Sequence, residues 1–402
     1  MRFAHMSDVH LGSWSGHPDL KEMACAAFDR AIDICIYENL DFILISGDLF
    51  DTSLPSFDVF NRAVSTLRKA HSEGIAIYAI PGSHDFSPTG RTYINILESA
   101  GLLVNVAKAE EVDGKLRLHF TVDEKTGAKI TGMMGRMGAL EKNYFMHLDR
   151  SIEQEDGFKI FMFHSGIEEY KPPHLKDMTA VPLSSLPKGF DYYAAGHIHQ
   201  TAFMKEDMGI IAFPGCLYPT DFKEMERYES GFYIIDYDGK LKHEFRKVSL
   251  HEVSVLNVNA DGKGPDEIER NILAGMPHDL SEKILVIRVE GVMNGKPSDI
   301  DFKRIYNAAV EHGALSVKRN TLKLSVKEFE SVAVGRHENI EEIERRIIQE
   351  HVGKMKLGSH NVELLILALM KALDDEKQEG ETNYVFAERL KNNALKTLGL
   401  TV

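Results

Sequence analysis

The chain has 402 residues, so two or three domains are the natural expectation. An apolar share of 43% and a charged share of 27% describe an ordinary soluble protein, and a formal net charge of −14 argues against wholesale adhesion to nucleic acid. The charge does not exclude a nuclease, because bound divalent cations invert the local field of an acidic site. Three cysteines without a CxxC pair fit a reducing compartment and exclude a disulfide framework or a Cys-rich structural zinc site. The start Met1-Arg2-Phe3-Ala4-His5 runs straight into a strand pattern with no signal peptide visible. The most apolar run, Leu364 to Met370, falls far short of the ~20 residues that span a bilayer. A cytoplasmic protein with no membrane partner is expected.

Residues 2–6 read as a first strand, followed by Ser7-Asp8-Val9-His10. From Pro18 to Leu40 the apolar positions Leu20, Ala24, Ala27, Phe28, Ala31, Ile34 and Cys35 recur at helical spacing. A second apolar run, Phe42 to Ser46, delivers Gly47-Asp48, and a helix over Ser56–Ser72 stops at Gly74. The third run, Ile75 to Ile80, ends in Pro81-Gly82-Ser83-His84-Asp85. Strand, helix, strand, helix, strand is the signature of a parallel-sheet α/β fold.

The middle is more β-like. Leu116–Val122 and Ala128–Met134 predict a hairpin around residues 123–127, and Lys159–Phe163 is an apolar run ending in His164. Tyr192–Ala195 ends in Gly196-His197-Ile198-His199, and Phe232–Tyr237, Asp238-Gly239 and Leu241–Val248 predict a second hairpin. After about residue 250 the pattern becomes β-α-β-α-β over Val253–Val258, Pro265–Ala274, Ile284–Val289, Ser298–His312 and Leu315–Val326. A linker is expected near 331–339, and helices over Ile340–Val352, His360–Glu379 and Asn383–Leu398.

Five apolar runs end directly in metal-capable residues: Asp8 and His10, Asp48, His84, His164, then His197 and His199. Taken singly, a strand-end His is more often structural, and HxH matches many surface turns. Side chains at the carboxyl ends of parallel strands converge on one crevice, and five such coincidences are hard to assign to packing. Imidazole with carboxylate suits Mn²⁺, Fe²⁺ or Zn²⁺ rather than Ca²⁺. A pair of ions clamping a phosphoryl group needs a carboxylate between them, and Asp48 is the candidate.

The motifs Asp8-x-His10, Gly47-Asp48-x-x-Asp51, Gly82-Ser83-His84-Asp85, His164 and Gly196-His197-x-His199 resemble those of the calcineurin-like metallophosphoesterases. More closely, residues 46–51 and 190–199 look like SbcD-type nucleases, the prokaryotic relatives of the meiotic-recombination-eleven nuclease of double-strand-break repair. The motifs cover residues 1–220. The resemblance implies a two-layered β-sheet core flanked by helices over residues 1–250, a DNA-capping domain over 251–330 and a helical segment over 340–402. It implies two divalent ions, most naturally Mn²⁺: one held by Asp8, His10, Asp48 and His199, the other by Asp48, His164, His197 and residue 83. His84 would stabilise developing charge or protonate the leaving oxygen, and Asp51 would orient His84. Where the family carries Asn, this chain has Ser83, a shorter and poorer neutral donor, so a weaker second ion is expected.

The implied function is a manganese-dependent nuclease of double-strand-break repair, exonucleolytic on duplex ends and endonucleolytic on single strands. The implied partners are DNA, a second copy of the chain and an SbcC-type coiled-coil ATPase, in a cytoplasmic, nucleoid-associated setting. The basic stretch Lys318–Lys327 is either a phosphate-contacting strip or a solvated strand face. Residues 362–370, apolar nearly all round, must be buried on several sides, either within a helical domain or against the ATPase. Val59, Phe60, Val64 and Leu67 serve either a dimer interface, with the helix around Arg91–Ala100, or the core. Alternatives are a phosphodiesterase or phosphatase acting on a small molecule or phosphoprotein, and a DNA-end-binding scaffold with weak catalysis.

Overall fold

The computed structural model describes residues 1–86, 92–136, 141–326, 362–374 and 383–398. The expected alternation opens the chain as β1 (Arg2–Met6), α1 (Pro18–Tyr37), β2 (Phe42–Ser46), α2 (Phe57–Ser72), β3 (Ala76–Ile80), α3 (Tyr93–Ser99) and β4 (Val104–Asn105). These four strands are parallel neighbours in the order β1-β2-β3-β4. Then come β5 (Ala109–Val112), β6 (Lys115–Leu118), β7 (Thr121–Val122), β8 (Lys129–Met133), α4 (Glu141–Met146), β9 (Lys159–His164), β10 (Tyr192–Gly196), β11 (Ala202–Glu206) and β12 (Gly209–Phe213). β7 to β12, without β5 and β6, form a second sheet in the order β11-β12-β10-β9-β8-β7, with β8, β9 and β10 parallel. After α5 (Phe222–Arg227), the hairpin β13 (Gly231–Tyr237) and β14 (Leu241–Lys247) returns to the first sheet beside β1.

The hairpin expected around residues 123–127 exists but is short, pairing only Thr121 with Ile130 and Val122 with Lys129. Lys115–Leu118 pairs instead with Ala109–Val112 across Asp113-Gly114, both at positive φ. Asp-Gly is a favoured two-residue hairpin turn, and that local closure outcompetes the longer one.

Two sheets packed face to face with helices outside make four layers. Phe3, Phe42, Leu44, Tyr78, Ile160, Met162 and Tyr192 fill the space between the sheets, whereas Ala4, Met6, Ile43 and Ile45 face α1 and α2. β2 is buried along its whole length, as a strand covered on both faces must be. An imidazole enters the inter-sheet layer: His5 has Nδ1 2.9 Å from the Tyr192 hydroxyl and Nε2 3.1 Å from Ser46 Oγ. Burial pushes His5 down to about 3, so the ring is neutral.

A smaller parallel sheet follows, built from β15 (Glu252–Asn259), α6 (Pro265–Gly275), β16 (Lys283–Met293), α7 (Phe302–Glu311), β17 (Ser316–Asn320) and β18 (Leu324–Val326). The single last strand expected over 315–326 is two, pairing with successive parts of β16. One face of β16 packs on its own core through Leu285 and Ile287, and the other sends Ile284 and Val286 into the core beneath α1. Lys318 Nζ reaches Asp19 Oδ1 of α1 at 2.8 Å, so this member of the basic stretch is engaged by the chain itself. Arg319 lies over the Phe302 ring, Lys323 pairs with Glu290, and Lys327 lies outside the described residues.

In the helix expected to be buried on several sides, α8 (Val362–Leu373), Leu364, Met370 and Leu373 are 63%, 40% and 53% exposed. Among the described residues it packs against α9 (Asn383–Thr397). The expected linker over 331–339 and helix over 340–352 lie outside the described residues. Among the described residues no helix is long and apolar enough to cross a membrane. Val59 and Leu67 of α2 are core, and Phe60 packs on Phe50 and Tyr93.

Candidate metal centre

Because β1–β3 and β9–β10 are each parallel, the residues after them emerge along one edge of the two-sheet sandwich. Hydrogen bonds from Asp8 N to Gly47 O (3.1 Å) and from His10 N to Asp48 O (3.0 Å) continue the β1–β2 pairing beyond the strands. There the backbone turns sharply. Asp8, His10, Asp48 and His197 have φ of 50°, 47°, 50° and 83°, a region that costs a non-glycine residue of order 1–3 kcal/mol. Glycine is required where these turns meet: a Cβ on Gly47 would lie 2.2 Å from His164 Nδ1, and one on Gly82 2.2 Å from Asp48 Oδ1.

The turns bring all the sequence-predicted residues to one place. His10 Nε2 and His199 Nε2 face each other at 3.2 Å, and Asp8 Oδ1 lies 3.5 Å from His199 Nε2 and 3.9 Å from His10 Nε2. Asp48 Oδ2 lies 3.0 Å from His164 Nε2, 3.7 Å from His10 Nε2 and 3.4 Å from Ser83 Oγ, while its Oδ1 accepts the His84 N–H at 2.8 Å. The ligating atoms of Asp8, His10 and His199 lie within 4.8 Å of one another, as do those of Asp48, His164 and His197. The exposed His84 rests its Nδ1 on the backbone carbonyl of Asp51 at 2.7 Å. The Asp51 carboxylate points elsewhere, 3.3 Å from His10 Nδ1 without the alignment of a hydrogen bond.

Burial opposes every charge in this cluster, and at Asp8, Asp48 and His164 the neighbours overcome it. The charges of His164 and His199 with the His199 hydrogen bond bring Asp8 to about 2, and His164 and His10 hold Asp48 well below the usual carboxylate range. In return Asp48 lifts His164 to about 10. Burial and the His164 charge push His197 down to about 4. His164 Nδ1 sits 2.8 Å from the Ser46 carbonyl, which fixes a hydrogen there and presents Nε2 to the cluster.

Two supporting carboxylates had no role in the sequence reading. Asp85 is buried and accepts the N–H groups of Phe50 (3.0 Å), Gly82 (2.9 Å) and Leu49 (3.3 Å), tying the loop after β2 to the loop after β3. Burial, then the Asp48 charge, pushes it up to about 6. Glu224 of α5 has Oε1 2.6 Å from His199 Nδ1 and takes the Thr220 N–H and hydroxyl on Oε2, a carboxylate–histidine pair of the kind that orients metal-binding imidazoles. Against burial, the His199 hydrogen bond and charge bring Glu224 to about 2. The spacing Asp221-x-x-Glu224 signals a helix start and nothing about His199.

The donor set fits divalent ions. Imidazoles and carboxylates converge in two groups linked by His10 and Asp48, and facing ring nitrogens at 3.2 Å share either a proton or a cation. Cys216 also lies near His199, but burial pushes its thiol up to about 12, which disfavours the thiolate a ligand must be.

Residues 1–201 match the family model described as calcineurin-like phosphoesterase. The chain is 28% identical over 327 residues to the DNA double-strand break repair protein Mre11 of Archaeoglobus fulgidus, spanning 77% of this chain and 72% of that one. It is 26% identical over 345 residues to the protein of the same name from Sulfolobus acidocaldarius, spanning 81% and 86%. It is also 27% identical over 268 residues to the uncharacterized metallophosphoesterase YhaO of Bacillus subtilis, spanning 63% and 61%.

Proposed function

The chain belongs to the calcineurin-like phosphoesterase family, and from that membership we propose that it is a metal-dependent DNA nuclease of double-strand-break repair. One observation carries the choice of DNA over a small ester. The similarity to Mre11 proteins spans up to 81% of the chain, more than the catalytic part expected over residues 1–250, so it takes in part of the accessory elements. A phosphoesterase of small molecules has no evident need of those elements.

Asp8, His10, Asp48 and His199 would hold one divalent ion, and Asp48, His164 and His197 the other, with Ser83 beside them. Mn²⁺ suits this mixture of imidazole and carboxylate. The pair would supply Lewis acidity at the phosphoryl oxygens and a water acidic enough to attack near neutral pH. The protein's own part is positional. Asp48 faces both groups, Ser46 fixes the tautomer of His164, and Glu224 fixes His199. His84, anchored through Nδ1 at the exposed rim, lies with a ring nitrogen within 4.8 Å of the ligating atoms of His10 and Asp48, where it would donate a proton to the leaving oxygen.

DNA, a second copy of the chain and a coiled-coil ATPase are the proposed partners. The exposed Leu364, Met370 and Leu373 of α8 give the ATPase an apolar docking face, and exposed Leu54 and Phe57 at the start of α2 offer a face to a second copy.

The deciding experiment incubates the full chain in Mn²⁺ with end-labelled duplex and single-stranded DNA, cyclic nucleotides and an aryl phosphodiester. Asp48→Asn and His84→Ala are run alongside. DNA degradation lost in both variants is the expected result. Turnover of small esters with intact DNA would replace the nuclease by a small-ester phosphodiesterase, and DNA retention without cleavage would leave a DNA-binding scaffold.

A further inference from the structure

α5 is six residues long and carries two carboxylates with different partners. Glu224 holds His199 Nδ1 at 2.6 Å. Two residues on, Glu226 pairs with Arg288 of β16, in the smaller sheet. The Glu226 side chain is 9% exposed, and its other oxygen, Oε1, is buried without a hydrogen-bond partner. A buried carboxylate secured through one oxygen depends on that one partner, because nothing else repays its desolvation.

The same helix also reaches the loop that follows His10. Phe222 packs against Trp14 with ring centroids 4.9 Å apart, and Trp14 Nε1 donates to the Pro219 carbonyl at 2.7 Å. So α5 touches three things: Glu224 meets His199, Phe222 meets the loop leaving His10, and Glu226 meets the smaller sheet. A helix of six residues has too few internal hydrogen bonds to hold its own place, so its contacts set its position. The Asp48–His164–His197 group is braced differently, by the Ser46 carbonyl at the end of β2.

We propose that the smaller sheet positions one metal group through α5: Arg288 and Glu226 are positioning residues that keep Glu224 on His199, so the seating of β16 sets how tightly Asp8, His10 and His199 hold their ion. This rests on the two-ion reading of the site. Its distinguishing mark is asymmetry, since the other group has no part in α5.

Another ion pair between the smaller sheet and the core, Lys318 with Asp19, falls on α1 and serves as the control. The test is a Mn²⁺ titration of the full chain by calorimetry and by electron paramagnetic resonance. The proteins compared are wild type, Arg288→Met, Arg288→Lys and Lys318→Met, each with its thermal unfolding recorded. In Arg288→Met one ion is expected to weaken roughly 10- to 100-fold, as when an outer partner of a ligating imidazole is lost, while the other ion is unchanged. Arg288→Lys restores most of the affinity, and Lys318→Met leaves both ions as in wild type. If Arg288→Met does not fold, Glu226→Gln removes the charge at constant shape and carries the same expectation. Two unchanged affinities in a folded Arg288→Met protein overturn the proposal. So does equal weakening of both ions in Arg288→Met and Lys318→Met, which would be general loosening. A wild-type chain that binds a single ion overturns the two-ion reading, and this proposal with it.

Discussion

His164 and Asp48 meet across the seam between the two sheets, with Nε2 3.0 Å from Oδ2. Neither sheet holds a complete metal group. β9 supplies the imidazole and the turn after β2 supplies the carboxylate. Burial opposes charge on both, yet the charge and hydrogen bond of Asp48 lift His164 to about 10.

That pairing makes metal binding a proton-releasing event. An ion must displace the proton on His164, so loading at pH 7–8 should release about one proton per chain from this group. Calorimetry in buffers of different ionisation enthalpy reads the number. The pH dependence of stability follows from the same shift. The folded value, about 10, lies above the unfolded ~6.5, so the stabilisation is complete below about 6.5 and fades as pH rises through about 10. The metal-free chain should lose melting temperature across that window, and His164→Ala should flatten the loss. Buffer-independent heats with a flat profile would count against the pair.

Asp85 gives a slope elsewhere on the pH axis. Its folded value of about 6 exceeds the unfolded ~3.9, so its contribution to stability falls as pH rises from about 4 to about 6 and is constant above. Asp85→Ala leaves three backbone N–H groups without their acceptor and should cost about 3 kcal/mol or more. Asp85→Asn keeps the shape without the charge, so its deficit against wild type should shrink between pH 4 and pH 6. Urea unfolding at both pH values checks this; a deficit that widens with pH would reverse the assignment.

Ser83 is the variable at the second group. Its Oγ lies 3.4 Å from Asp48 Oδ2, and Asn there would extend a carbonyl oxygen farther into the cluster. Ser83→Asn should tighten one ion by about tenfold, or ~1.4 kcal/mol, bringing the two affinities closer together. Identical Mn²⁺ isotherms for the two proteins would show that residue 83 does not reach the ion.

Removing residues 340–402 should abolish association with the ATPase partner while leaving Mn²⁺-dependent cleavage intact. Pull-down and nuclease assays on the same truncated protein read both. Undiminished association would move the docking surface elsewhere.

The first-layer residues were legible because each ends an apolar strand run, and parallel strands deliver their ends to a common edge. Asp8, His10, Asp48, His164, His197 and His199 all carry that mark. Asp85 and Glu224 do not. Asp85 stands beside His84 in the motif, but its partners are backbone N–H groups of two separate loops, which no residue pattern encodes. Glu224 lies 25 positions from His199 in sequence, and its pairing exists only once α5 has packed. The β5–β6 pairing escaped for a related reason: alternation marks a strand, while the Asp113-Gly114 turn decides its partner. For α8, apolar composition states a need for cover without stating which chain supplies it.

His5 gains its meaning from the divided site. The layer between the sheets is otherwise almost wholly apolar, and apolar contact is indifferent to small lateral displacement. Hydrogen bonds are not, and His5 joins the Tyr192 hydroxyl of one sheet to Ser46 Oγ of the other. Ser46 is also the residue whose carbonyl receives His164. The neutral imidazole therefore acts as a locating pin between two plates: sliding one sheet on the other would break its hydrogen bonds as well as the alignment of the half-sites above.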